Sequence, residues 1–240
     1  GKQVNAGRVT TFNEKPIVSE NRLTVIPKDF DLRTAALFGC SVVTGFGAVN
    51  NDAQVKIGQS VLIFGIGGMG LNIATASSLV SAYPIVGVDL HKNKIDMGKK
   101  FGLTHGLVAN SSNLKNEIYK ILGDKGPDVT FETTGNARIM EQAYELTPDD
   151  GKTIFVGVPD DKISIDSLPL AFNKILTVSH GGNSAPDKDI PRYIRLSKHK
   201  KINLEKLITH EFDLSEINKA IDLFRSGKAG RIILKISKVK

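Results

Sequence analysis

A chain of 240 residues, 40% hydrophobic and 24% charged, has material for one large domain or one and a half ordinary ones, with a normal buried core. Its 32 Lys and Arg against 25 Asp and Glu give a net charge of +7, spread along the chain as in KNKIDMGKK and SKHKK; with no arginine–aromatic stripe and no nucleic-acid motif, this excludes nucleic acid and reads as a solvated lysine-rich surface that secondarily attracts an anionic cofactor. The single cysteine excludes an internal disulfide and fits a reducing, cytoplasmic setting, GKQVNAGRVTTFNE is no signal peptide, and the longest apolar stretch, VLIFGIGGMGLNIA, is broken by glycines and Asn72, so no segment reads as membrane-spanning.

The chain opens with VTTFNEKPIVSENRLTVIP, whose alternation, punctuated by Pro16 and Pro27, predicts antiparallel strand material within residues 1–35. ALFGCSVVTGFGAVNN follows and holds the only cysteine, Cys40, among glycines and small apolar residues. From residue 60 strands and helices alternate. SVLIFG, PIVGVDL, GLVAN, PDVTFETTG, KTIFVGVP and KILTVSHGG are short apolar runs. Between them LNIATASSLVSA, KNKIDMGKKFG, LKNEIYKILGD and NARIMEQAYEL read as helices. Apolar runs separated by helices of this length predict an α/β fold, a doubly wound parallel sheet covered on both faces that binds ligands at the carboxyl ends of its strands. Beyond residue 186 come a helix (DIPRYIRLSKHKK), a strand-like ITHEF, an amphipathic helix and a closing strand, RIILKI. In that last helix Asp213 with Glu216 predicts an N-terminal cap, Ile217, Ala220, Ile221 and Phe224 form the apolar stripe, and Gly227 marks the stop.

The first strand runs directly into Gly65-x-Gly67-Gly68-Met69-Gly70, a G-x-G-x-x-G pattern that opens a helix. Gly65 permits the tight turn, Gly67 lets backbone approach a pyrophosphate, and Gly70 lets the helix sit close on the sheet. Asp89 ends the second strand 19 residues after Gly70. A carboxylate there accepts hydrogen bonds from ribose hydroxyls and repels a 2′-phosphate, which favours NAD over NADP. A ligand-free tight turn and a methyltransferase loop are the competing readings of this pattern.

GCSVVTGFGAV, VLIFGIGGMG, VGVDLHKNK, FETTGN, IFVGVP and LITHEFDLSEINKAIDLFRSGKAGRIIL, taken in order, resemble the zinc-dependent medium-chain alcohol dehydrogenases over residues 1 to 236. The resemblance implies a Rossmann domain at 42–180, flanked by remnants of a mostly β, GroES-like catalytic domain at 1–41 and its C-terminal return at 181–240. It implies Cys40 as a ligand of the catalytic zinc and Thr44 as the residue near the nicotinamide. Lys94 would support the adenosine ribose and Arg231 the pyrophosphate. Thr133, Thr134, Val156, Gly157, Val158, Val178 and His180 would line the nicotinamide side. Lys94 and Arg231 also read as ordinary surface charges, and Thr44 as a core threonine. The implied function is NAD-dependent interconversion of an alcohol and an aldehyde or ketone by a homodimer paired along residues 164–174. One thiolate cannot hold zinc, and the family's other ligands precede this stretch, so the isolated chain is expected to bind NAD without activity. A non-catalytic dinucleotide-binding module and a zinc-free reductase of the same superfamily remain the alternatives.

Overall fold

Val61–Phe64 is a run of four apolar residues with no solvent-exposed face, and it forms the central strand β1 of a six-stranded sheet. The computed structural model describes residues 11–109 and 113–236. Residues 1–10, where the expected N-terminal strand material begins, and Asn110, the end of GLVAN, lie outside them. The chain divides into two compact units, residues 39–185 and residues 1–38 with 186–240.

In the first unit β1 is followed by α3 (Gly68–Leu79), β2 (Ile85–Asp89), α4 (Lys92–Lys99), β3 (His105–Val108), α5 (Leu114–Leu122), β4 (Val129–Glu132), α6 (Ala137–Leu146), β5 (Lys152–Phe155) and β6 (Ile175–Val178). Every strand pair is parallel, in the order β3-β2-β1-β4-β5-β6. This is the doubly wound sheet expected from the alternation. Alternate residues of β1 face opposite layers. Leu62 and Phe64 join Val86 and Val88 against Leu114 and Ile118 of α5 and Ala143 and Leu146 of α6. Ile63 points the other way, toward the first turn of α3 at Gly70. Both faces are therefore buried, which is why the strands read as apolar runs rather than as alternations. The chain leaves β1 for β2 and β3, then returns to place β4 on the other side of β1. That reversal opens a crevice at the carboxyl ends of β1 and β4.

Ahead of β1 the chain is helical from Leu32 to Asp52. It comprises α1 (Leu32–Leu37), a π-helical segment at Phe38–Val42, α2 (Val43–Gly47) and a second π-helical segment at Ala48–Asp52. Its glycines give no helix signal in sequence. By length and composition this run is apolar enough to cross a membrane, a feature that the reading of the sequence passed over; 61% of its apolar window is buried within the protein, as in a core helix. Gly45 and Gly47 explain the packing. A side chain at Gly45 would stand 2.6 Å from Cβ of Asn72 on α3. One at Gly47 would overlap the carbonyl oxygen of Gly182, in the turn that follows β6.

The second unit corrects two expectations. Among the described residues, 11–35 contain no strand; they hold a 3₁₀ turn at Glu20–Arg22 and the start of α1, which Asp31 caps by accepting from the amides of Arg33 (3.3 Å) and Thr34 (2.9 Å). The alternating apolar residues there stay in solvent, Ile17 at 99% and Val25 at 91% exposure. An extended segment without a partner strand gains neither ladder hydrogen bonds nor a buried face. C-terminal to α7 (Pro186–Lys198), β7 (Ile208–Asp213) and β8 (Arg231–Lys235) form a two-stranded parallel sheet joined through α8 (Ile217–Arg225). The Asp213 side chain does not cap α8, because a 3₁₀ turn at Leu214–Glu216 intervenes; half of the expected pair is present, with Glu216 accepting from the Asp213 backbone amide while it also pairs with Lys219 at 3.0 Å.

Gly47→Ala is expected to cost about 1–3 kcal/mol in denaturant unfolding, since the new methyl meets backbone that cannot swing away. Gly39→Ala, in the same helical run with no atom within 4 Å of the added carbon, should leave stability unchanged or raise it by up to about 1 kcal/mol. Equal losses at the two sites would contradict the packing described for Gly47.

Candidate functional site

The crevice beside β1 is built from three glycines that each answer a different steric demand. Gly65 closes β1 at φ +85°, and a side chain there would stand 2.6 Å from Thr133 Oγ1 and 2.8 Å from Thr134 Cγ2. Gly67 faces open space, with no atom within 4 Å of an added Cβ. Gly70 admits no Cβ because the Gly65 carbonyl oxygen occupies the position. Gly68 and Met69 form the first turn of α3, which no side chain caps. Uncapped amides of a 12-residue helix therefore face the glycine loop, the arrangement that receives a pyrophosphate.

Asp89 sits where β2 ends. Its Oδ2 accepts from the amide of Ile66 at 2.8 Å, inside the glycine loop, and its Oδ1 accepts from the amide of His91 at 2.9 Å. Two backbone donors thus fix the carboxylate beside the loop. Lys94, on α4, is only 8% exposed, which overturns the surface-charge reading. Burial holds its amine below the ordinary lysine range, while the charge of Asp89 acts in the opposite direction.

On the other side of β1, Thr133 donates its hydroxyl to the carbonyls of Phe64 (3.0 Å) and Gly65 (2.9 Å), tying the turn after β4 to the glycine loop. Thr134 is exposed, and Gly135 turns at φ +75°. The amides of Val156 and Gly157 donate to the Glu132 carbonyl at 2.8 and 3.0 Å, and Val158 stands 86% exposed beyond them. Val178 and His180, at the end of β6, are exposed as well.

Glu132 was missed in the sequence. It ends β4 with no exposed surface, and its Oε1 accepts from both the amide and the hydroxyl of Thr134 at 2.5 Å. The Gly135 amide reaches both carboxylate oxygens at 3.2 Å. Burial pushes this carboxyl above the ordinary range, against the hydrogen bonds that favour its ionised form. The available signal was a lone acid closing an apolar strand, in VTFETTG.

Thr44 and Cys40 come from the helical run ahead of β1, which packs through Gly45 on α3 and through Gly47 on the turn after β6. Thr44 is half-buried on α2, and Cys40 is exposed in the π-helical segment before it. Among the described residues no three of His, Cys, Asp and Glu come together as a metal-holding group, so the donor set around Cys40 does not fit a zinc site that needs three protein ligands. Arg231 begins β8, in the other unit.

Residues 65–199 match the family model described as zinc-binding dehydrogenase. The chain belongs to that family. It is 37% identical over 235 residues to alcohol dehydrogenase-like 2 of Arabidopsis thaliana, covering 96% of this chain and 61% of that protein. It is 32% identical over 236 residues to S-(hydroxymethyl)glutathione dehydrogenase of Paracoccus denitrificans, covering 94% of this chain and 62% of the relative. Among solved structures, benzyl alcohol dehydrogenase from Acinetobacter calcoaceticus superposes with a TM-score of 0.87 at 27% identity, over 92% of this chain and 62% of that one. The chain thus spans about three-fifths of the length of the relatives it matches. The family is the one that the glycine loop and the C-terminal segment resemble.

Lys94 yields a signed expectation. Its amine titrates lower in the folded state than the 10.5 of an exposed lysine, so below the folded-state value its burial costs stability in full. The cost shrinks as pH rises through the interval and vanishes above 10.5. Lys94→Met should therefore raise the melting midpoint at neutral pH, by no more than about 4 °C, and the gain should fade in strongly alkaline buffer. A variant that melts lower than the parent at pH 7 would contradict this.

Proposed function

We propose that this chain holds NAD across the carboxyl ends of β1, β2, β4 and β5. It does so as the cofactor-binding part of an oxidoreductase that interconverts an alcohol with an aldehyde or ketone. The observation that carries the reading is the Asp89 carboxylate, fixed by the amides of Ile66 and His91 within the same turn that offers the open backbone of Gly67. The adenosine ribose hydroxyls donate to Asp89 and the pyrophosphate lies on the amides of Gly67, Gly68 and Met69. Lys94 steadies the ribose side. The nicotinamide half extends past Thr133, Thr134 and the Val156–Val158 loop toward Val178 and His180, with Thr44 as a further contact. NAD, when bound, supplies the hydride acceptor; the residues of this chain bind and orient it. The named relatives, which include alcohol dehydrogenases and S-(hydroxymethyl)glutathione dehydrogenase, support an alcohol or aldehyde substrate. Cys40, the chain's one thiol, would supply a single ligand to a zinc site completed by other residues.

Asp89 sets the cofactor preference. A 2′-phosphate would meet a fixed carboxylate of the same sign, so NAD should bind more tightly than NADP by about tenfold or more. Calorimetric titration of both cofactors tests this, and Asp89→Ser should narrow the gap. Equal affinities in the parent would remove Asp89 from the ribose site.

The same fold supports a homodimer. β6 ends the sheet, and Leu168 (66%), Phe172 (74%), Ile175 (44%) and Val178 (66%) on and before it are large apolar side chains left in solvent. An open apolar sheet edge is a pairing surface. Light scattering should report a dimer that Phe172→Asp dissociates; a monomeric parent at high concentration would sink the assignment.

A further inference from the structure

Glu132 is a buried acid that nothing in the ribose or pyrophosphate site uses. The charge that acts on it among the described residues is Asp160, of like sign, so burial brings no ion pair in return. A carboxylate kept in that condition is costly, and such groups concentrate where a site is being shaped. Its oxygens organise the turn after β4 through the amide and hydroxyl of Thr134 and the amide of Gly135. Its backbone carbonyl receives the amides of Val156 and Gly157. These two loops close tightly over the side chain: a Cβ at Gly157 would stand 2.8 Å from both Glu132 Oε2 and Gly135 Cα. Through Thr133, the same turn is hooked to the carbonyls of Phe64 and Gly65. Glu132 therefore joins three loops at one point.

Where that point lies decides which half of a dinucleotide feels it. β2 and β4 flank β1 on opposite sides. With Asp89 on β2 taking the adenosine ribose and the pyrophosphate on the glycine loop, the other half of the cofactor has to pass over the ends of β4 and β5. We infer that Glu132 is the positioning residue for the nicotinamide half, its carboxylate holding the Thr133–Gly135 turn and the Val156–Val158 loop at the separation that half requires. This rests on the NAD reading above. Glutamine keeps the shape of the side chain but not its chemistry. It offers one acceptor oxygen where the carboxylate offers two, and its amide NH₂ would face the N–H groups of Thr134 or Gly135, donor against donor.

The test compares NADH with ADP, which carries the adenosine half and the pyrophosphate but neither the second ribose nor the nicotinamide. Calorimetry on the parent, Glu132→Gln, Thr134→Val and Asp89→Ser reads the two affinities separately, with circular dichroism as a check of folding. For Glu132→Gln, NADH should bind about tenfold more weakly or worse, the effect of mispairing a buried hydrogen bond to a charged group. ADP should stay within about twofold of the parent, as befits a ligand that never reaches the turn. Thr134→Val, which removes one donor to Oε1, should move NADH alone and by less. Asp89→Ser should weaken both ligands. Equal weakening of both by Glu132→Gln, or no change in either, overturns the inference. If Glu132→Gln does not fold, Thr134→Val decides by the same criterion, selective loss of NADH supporting the role and equal or absent loss overturning it. A parent that binds neither ligand overturns the NAD reading itself, and this inference with it.

Discussion

Gly70 has no side chain because the carbonyl oxygen of Gly65 sits where its Cβ would be. That contact fixes how closely the first turn of α3 lies on the end of β1, and much else follows from it. It aims the uncapped amides of α3 across the sheet end. It brings the amide of Ile66 within reach of Asp89, and the carbonyl of Gly65 within reach of the Thr133 hydroxyl. One close approach of backbone to backbone thus sets the relative positions of groups from β1, β2 and β4. A single methyl at residue 70 would move them all.

Polar chemistry is distributed unequally between the two ends of the sheet. At the amino end, Ser60 donates its amide and hydroxyl to Asp128 at 2.8 Å each, and the Asp128 amide returns a bond to the Ser60 hydroxyl at 2.9 Å. Within the core, the hydroxyls of Thr130, Thr147 and Thr153 bond to one another and to the carbonyl of Ala143. Those groups are satisfied by their neighbours and contribute to the packing of the fold. At the carboxyl end stand Asp89, Lys94 and Glu132; Lys94 and Glu132 are buried, and burial shifts both toward their neutral forms. Ionisable groups buried at the carboxyl end place their cost where a ligand can offset it.

The sheet and the dinucleotide loop were legible because their signals are local: apolar runs of fixed length, three glycines with separate steric duties, an acid ending the second strand. Other features depend on contacts that sequence spacing does not carry. GCSVVTGFGAVNN carries no helix signal in sequence, yet it is helical, since Gly45 and Gly47 serve close approach to Asn72 and Gly182 rather than chain flexibility. VTTFNEKPIVSENRLTVIP alternates like a strand but finds no partner among the described residues, and a strand is a pairing rather than a property of a segment. Glu132 ends an apolar strand in sequence, where a lone acid draws little attention. Its weight comes from three donors and a neighbouring glycine that only the fold assembles. Lys94 was assigned from a resemblance, and its burial gives that assignment a physical basis of its own.

The unit formed by residues 1–38 and 186–240 is stitched across the other one in sequence. Thr24 donates to Asp187 at 2.9 Å over a separation of 163 residues, and Lys198 reaches Asp29 over 169. During synthesis these halves emerge at different times. Residues 39–185 are contiguous and can fold once they have left the ribosome. The leading segment must wait for its partners in residues 186–240, with Ile17, Leu23 and Val25 still in solvent in the finished structure. A contiguous sheet that folds early also shortens the effective loop between the two waiting halves, because it brings residues 39 and 185 to a fixed separation. The inserted unit thereby lowers the entropy cost of closing the split one.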